Sequence, residues 1–181
     1  MLPQIVAIVG PIRVGKTTAG RYLVGKYGYQ LASNSEVLKE IAAKLGIESD
    51  RSGLKRLGDA LFSTFGNDLL ARLRIEQGIF PIVVDGVRYL EELIAYRREP
   101  SFRLLGLTAT NEQRYVRAAV LANEGKDGNQ TRAQFDALAL ARSEMQVDQL
   151  LREADYVIDN CFSIDELKTT LDELIKEWSK A

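Results

Sequence analysis

The chain has 181 residues, 24 lysines and arginines against 25 aspartates and glutamates, 46% hydrophobic residues, one cysteine and no histidine. A chain of this length buries roughly 70% of the surface it exposes when unfolded, enough for a single domain spanning residues 1–181 without disulfides or structural metals. Lacking histidine, it excludes Ser-His-Asp and Cys-His mechanisms; a lone Cys161 closes no intramolecular disulfide and implies a reducing, cytoplasmic setting; a net charge of −1 gives no overall pull toward nucleic acid.

In chain order, an apolar run from Gln4 to Val9 predicts a strand covered on both faces, because it is continuously apolar and does not alternate. It stops at Gly10, too short for a signal-peptide core or a membrane span, so no membrane association is expected. A helix over Thr17–Lys26 follows, then a strand at Tyr29–Ala32 and a helix at Ser35–Leu45 behind the candidate caps Asn34 and Ser35. Leu54, Leu57, Leu61 and Phe65 share one helical face, and Leu69, Leu70 and Leu73 resume the pattern beyond Gly66. The stretch Gly53–Gln77 therefore predicts two helices. A third strand at Phe80–Asp85, a helix at Tyr89–Arg98, a fourth strand at Phe102–Thr108 and a helix at Asn111–Ala122 come next. The polar stretch Asn123–Gln130 reads as a loop. Thr131–Ala154 predicts an interrupted helix, Tyr156–Asp159 a fifth strand, and Ser163–Trp178 a final amphipathic helix. Strands alternating with helices imply a parallel sheet with helices on both faces.

The first strand runs into Gly10-Pro11-Ile12-Arg13-Val14-Gly15-Lys16-Thr17-Thr18, which matches G-x-x-x-x-G-K-[ST]. Glycines let the backbone wrap an anion, the next helix offers free N–H groups and its positive dipole end, and a lysine reaches the β- and γ-phosphates. Gly10, Arg13, Val14, Gly15, Lys16, Thr17 and Thr18 are thus candidate ATP ligands. Thr17 is a candidate Mg²⁺ ligand, and Asp85, at the carboxyl end of the third strand, is the second. An alternative for Asp85 is an N-cap for the helix near Tyr89. Arg88 places a planar phosphate clamp at the same edge; its alternative is a surface pair with Glu91 or Glu92. Arg114 and Arg117 share a helix face before the polar loop, with Arg132 and Arg142 after it, and such cations neutralise a moving phosphoryl group. No Asn-Lys-x-Asp string supports a GTPase.

On these strings, with Ala154-Asp155-Tyr156-Val157-Ile158-Asp159-Asn160, the chain resembles the P-loop nucleoside monophosphate kinase superfamily over nearly its whole length. The resemblance implies a three-layer α/β/α P-loop NTPase fold, five parallel strands in the order 2-3-1-4-5 and a short helical lid at about 123–133. It places Asn160 near the adenine, Arg88 on the acceptor phosphate, and Lys16, Arg88, Arg117 and Arg142 in catalysis. Asp50–Asp59 with Phe65–Asp68 is similar to a segment of phage-type deoxynucleoside monophosphate kinases. The acceptor region would then be the helices of about 34–77, with Glu36, Arg51 and Arg56 as candidate ligands beside Arg88. Dephospho-CoA kinases, which the last strand resembles, usually carry an acidic pair after the second strand. Ser33-Asn34-Ser35-Glu36 here has no aspartate, and transfer to a hydroxyl gains from a nearby base where transfer to a phosphate oxygen does not. The expectation is a magnesium- and ATP-dependent (deoxy)nucleoside monophosphate kinase, monomeric or homodimeric, with small nucleotides as partners. A dephospho-CoA kinase-like enzyme and a non-catalytic ATP-binding regulator are the alternatives.

Overall fold

The computed structural model describes residues 1–123, 131–141 and 144–180, with the side chains of 51, 121–123 and 139 outside that description. Five strands, β1 (Ile5–Val9), β2 (Gln30–Ser33), β3 (Ile82–Asp85), β4 (Phe102–Thr108) and β5 (Tyr156–Asp159), form one sheet in the order β2-β3-β1-β4-β5. Each neighbouring pair is parallel, as the alternation of elements predicts.

The helices are α1 (Lys16–Tyr27), α2 (Asn34–Leu45), α3 (Arg51–Phe65), α4 (Leu69–Gln77), α5 (Leu90–Tyr96), α6 (Asn111–Asn123), α7 (Arg132–Ala137), α8 (Val147–Arg152) and α9 (Ile164–Trp178). They cover both faces because the central strands are apolar on both. Ile5, Ala7 and Val9 of β1 pack with Ala71 of α4, Leu93 and Tyr96 of α5 and Leu150 of α8. Val6 and Ile8 point the other way, toward Ala19 and Leu23 of α1 and Leu167, Leu171 and Leu174 of α9. Successive strand residues alternate between faces, so one continuous apolar run supplies two cores.

Helix ends follow local chemistry. Ser163 Oγ accepts from Glu166 N at 3.2 Å while Glu166 Oε2 accepts from Ser163 N at 2.8 Å, a reciprocal cap that starts α9. Gly66, with φ of 97°, stops α3 by donating its N–H to Phe62 O, where the expected break falls.

The structure sharpens three of these readings. The interrupted helix expected over Thr131–Ala154 is α7, a 3-10 turn at Leu138–Leu140, and α8. Asn34 is not a cap: it is the first residue of α2, after Ser33, and its amide turns inward to donate to Glu92 Oε1 at 3.3 Å. Asp85 takes no part in capping either, because α5 begins at Leu90 behind Tyr89. Among the described residues no helix is long and apolar enough to cross a membrane.

Candidate functional site

The sheet order places the carboxyl end of β1 beside that of β3, and β3 beside β2: Asp85 is in register with Ile8 on one side and Ser33 on the other. Ligands of open parallel α/β sheets bind at this edge. The P-loop enters it directly from β1. Its backbone takes conformations that side chains resist: Gly15 has φ of 108°, and Arg13 lies at φ of 63°. A Cβ on Gly10 would sit 2.3 Å from Leu107 O, and one on Gly15 would sit 2.5 Å from Asn160 Nδ2. Both glycines are required by close approach as well as by backbone angle.

Lys16 opens α1 and curls over the loop, donating from Nζ to Gly10 O at 2.7 Å and Pro11 O at 3.0 Å. Burial, then the neighbouring Arg88 charge, pushes its ammonium down to about 7, against an opposing pull from Glu144 and Asp85. An arriving polyphosphate would supply the negative charge that restores it. Thr17 Oγ1 donates to Asp85 Oδ2 at 2.7 Å. A hydroxyl and a carboxylate in contact are a donor set that fits Mg²⁺, which takes few protein oxygens and keeps several waters. No group of three or more His, Cys, Asp or Glu side chains suited to a metal occurs among the described residues.

Two clefts meet at this loop. The first, about 350 Å³, is lined by Arg13, Gly15, Lys16, Thr17 and Thr18 at its polar end, and by Val116, Val120, Phe162, Ile164 and Leu167 at its apolar end. Phosphates at one end and a flat apolar base at the other match this distribution. Asn160 and Arg117 also line it, but their polar atoms hold the walls. Asn160 Nδ2 donates to Val14 O at 2.8 Å, and Arg117 donates to Val14 O at 3.2 Å and to Asn160 O at 2.6 Å. Arg114 reaches the same loop, donating to Ile12 O at 3.2 Å. The shared helix face thus brings both arginines to the P-loop, each on a backbone carbonyl.

The second cleft, about 320 Å³, is lined by Ile12, Arg13, Lys16, Thr17, Ser33, Asn34, Ser35, Asp85, Gly86 and Arg88. It shares Arg13, Lys16 and Thr17 with the first. Arg88 pairs here with Glu144, and not with Glu91 or Glu92. Glu92 instead lies beneath the cleft, almost wholly buried, accepting from Arg88 N at 2.8 Å, Tyr89 N at 3.1 Å and the Asn34 amide. Burial raises its carboxyl above the usual range, with those donors opposing. Neither Glu92 nor Glu144 carries a sequence signal for such a place: each is one acid among many on a helix or turn.

Other candidates lie elsewhere. Glu36 and Arg56 are exposed and line neither cleft, and Arg51 opens α3. Arg132 pairs with Glu112 and Asp136 on the surface, over the Tyr115 ring. Arg142 and residues 124–130 of the expected lid fall outside the described residues.

A five-stranded parallel sheet in this order, with an anion-binding loop after its first strand, is the fold of the P-loop kinases. Shikimate kinase from Bacteroides thetaiotaomicron has it, at a TM-score of 0.60 and 14% identity over 96% of this chain and 98% of that one. So does a gluconokinase from Sinorhizobium meliloti, at 0.54 and 13% over 97% and 95%. In sequence the chain is 29% identical to a UPF0200 protein of Sulfurisphaera tokodaii over 177 residues, 97% of both chains. No family model matches.

Proposed function

We propose that this protein is a magnesium- and ATP-dependent kinase of a small nucleotide-like acceptor, a (deoxy)nucleoside monophosphate. The observation that supports it is the junction of the two clefts at Arg13, Lys16 and Thr17. A donor in the first cleft would present its terminal phosphate to an acceptor in the second, and positioning with charge neutralisation is most of what phosphoryl transfer requires. Lys16 and the loop amides would grip the donor phosphates; Arg88 would meet the anion on the acceptor side. Thr17 and Asp85 would hold Mg²⁺, which when bound neutralises charge on the phosphates. Arg117 and Asn160 would brace the loop against the donor base.

A second reading has its own support. Ser33, Asn34 and Ser35 give the acceptor cleft a hydroxyl- and amide-rich wall, and the structurally similar shikimate kinase and gluconokinase are named for acceptors that are not nucleotides. A hydroxyl acceptor such as dephospho-CoA would suit that wall. One screen separates the readings: ADP release from Mg-ATP with each nucleoside monophosphate, dephospho-CoA, shikimate and gluconate in turn. Turnover with a nucleoside monophosphate, lost by roughly 100-fold or more in Lys16→Ala, is the expected result. ATP binding without release of ADP from any acceptor would favour a non-catalytic regulator.

A further inference from the structure

Glu144 stands in the turn ahead of α8, held there by its own N–H to Ala141 O at 2.8 Å and by Gln146, whose Oε1 accepts from Leu90 N at 2.7 Å. Its side chain is only 7% exposed. One carboxylate oxygen accepts from the P-loop amide of Ile12 at 3.0 Å, and the other takes a hydrogen bond and ion pair from Arg88 Nη1. The charges of Lys16 and Arg114 act on the same carboxylate. A loop amide, a guanidinium and two further cations around one anion are the donors that a phosphate group takes in such a loop. Both direct partners, Ile12 and Arg88, line the acceptor-side cleft and not the donor cleft.

We propose that Ile12 N–H and the Arg88 guanidinium form a seat for a phosphate dianion on the acceptor side of Lys16, and that Glu144 fills this seat as an internal anion until a phosphate takes it. Like charges a few ångströms apart in a partly buried site repel, so carboxylate and phosphate exclude one another. The wild-type carboxylate therefore competes with the ligand, and its departure delivers Arg88 and the amide together. This inference rests on the phosphotransfer reading for its ligand class, which has two sources: the terminal phosphoryl group of the donor, or the phosphate of the acceptor.

The test is calorimetric binding to the full chain, wild type against Glu144→Gln, which keeps the shape and removes the charge. Mg-ATP, Mg-ADP, and inorganic phosphate added to the Mg-ADP complex are the three probes. If the seat takes the donor's terminal phosphoryl group, Mg-ATP tightens by about fivefold or more while Mg-ADP does not change. If it takes the acceptor's phosphate, inorganic phosphate tightens by a similar factor and the ATP-to-ADP ratio is unmoved. Equal or weaker binding of all three probes in the variant overturns the proposal and leaves Glu144 as a structural tie for Arg88. Should Glu144→Gln fail to fold, Glu144→Asp serves: a shorter carboxylate that cannot span both partners tightens the same probe, and unchanged affinities again overturn the idea. Because the readout is binding, absence of turnover with every acceptor would sink the kinase reading without touching this result.

Discussion

Gly15 concentrates several demands at one position. Its φ of 108° disfavours any side chain, and an added Cβ would lie 2.5 Å from Asn160 Nδ2, the group that holds Val14 O. Gly15→Ala must therefore shift the loop, the Asn160 side chain, or both. The expected outcome is a folded protein whose Mg-ATP affinity falls at least tenfold, roughly the effect of 1.4 kcal/mol, read by the same calorimetry; undiminished affinity would mean the loop is not the nucleotide site. Sequence pattern marked Gly15 through its spacing from Lys16. It could not mark Asn160 as its packing partner, since the two lie 145 positions apart and meet only where β5 ends beside the loop. Arg117 shows the same limit. Helical spacing put it on the correct face with Arg114, but its bonds to the carbonyls of Val14 and Asn160 depend on where α6 docks.

At the scale of elements, local chemistry was legible wherever a helix end or strand satisfies itself. Ser163 and Glu166 close a capping box on their own backbone, so α9 starts where the sequence predicts to within a residue. Ser163→Ala should lower stability by about 1 kcal/mol, measured as a shift of the urea midpoint, whereas Thr169→Ala on the exposed face of α9 should change it little. Equal effects of the two would show that the cap contributes nothing special. In the stretch between α6 and β5 only the start of α7 is local, where Thr131 and Gln134 close a capping box; the rest of this short helix leans on neighbours, as Phe135 packs edge-on against Tyr115 of α6 and Arg114 lies over the Phe135 ring. A six-residue helix has little intrinsic stability, and periodicity in a single sequence reports nothing about such support.

On the scale of the whole molecule, α1 and α9 are joined over one face of the sheet by Asp172. Its carboxylate accepts from Lys26 at 2.6 Å, Tyr22 at 2.9 Å and Tyr27 at 2.7 Å. The Lys26 hydrogen bond, with those of the two tyrosines, holds this carboxyl below the usual aspartate range. A carboxyl with a depressed folded value adds stability above its unfolded value of 3.8, and that stability fades as pH falls through the folded one. Asp172→Asn should thus lower the melting temperature by a constant amount at pH 6 to 8, with the gap to wild type closing below about pH 4. A gap as large at pH 3 as at pH 7 would assign the loss to packing instead of charge. Net charge is equally a whole-molecule quantity: a total of −1 conceals a loop around which Lys16, Arg88, Arg114 and Arg117 gather against Asp85 and Glu144.

The sequence by itself determined the G-x-x-x-x-G-K-T loop, the five strands and their parallel alignment, because these follow from contiguous spacing: glycines around a lysine, apolar runs covered on both faces, and connections long enough to cross over; the order 2-3-1-4-5 is what the resemblance to P-loop kinases implies. It also excludes any mechanism that depends on imidazole, since the chain has no histidine. Only the tertiary structure decided what each cation touches. Glu144 meets Arg88 across 56 residues, Glu92 takes the cleft floor beneath Asn34 and Arg88, and Glu36 and Arg56 remain at the surface. The physical reason is that such pairings depend on the direction and depth at which helices pack on the sheet. That direction is set by the sum of many apolar contacts, and no local pattern in the chain encodes it.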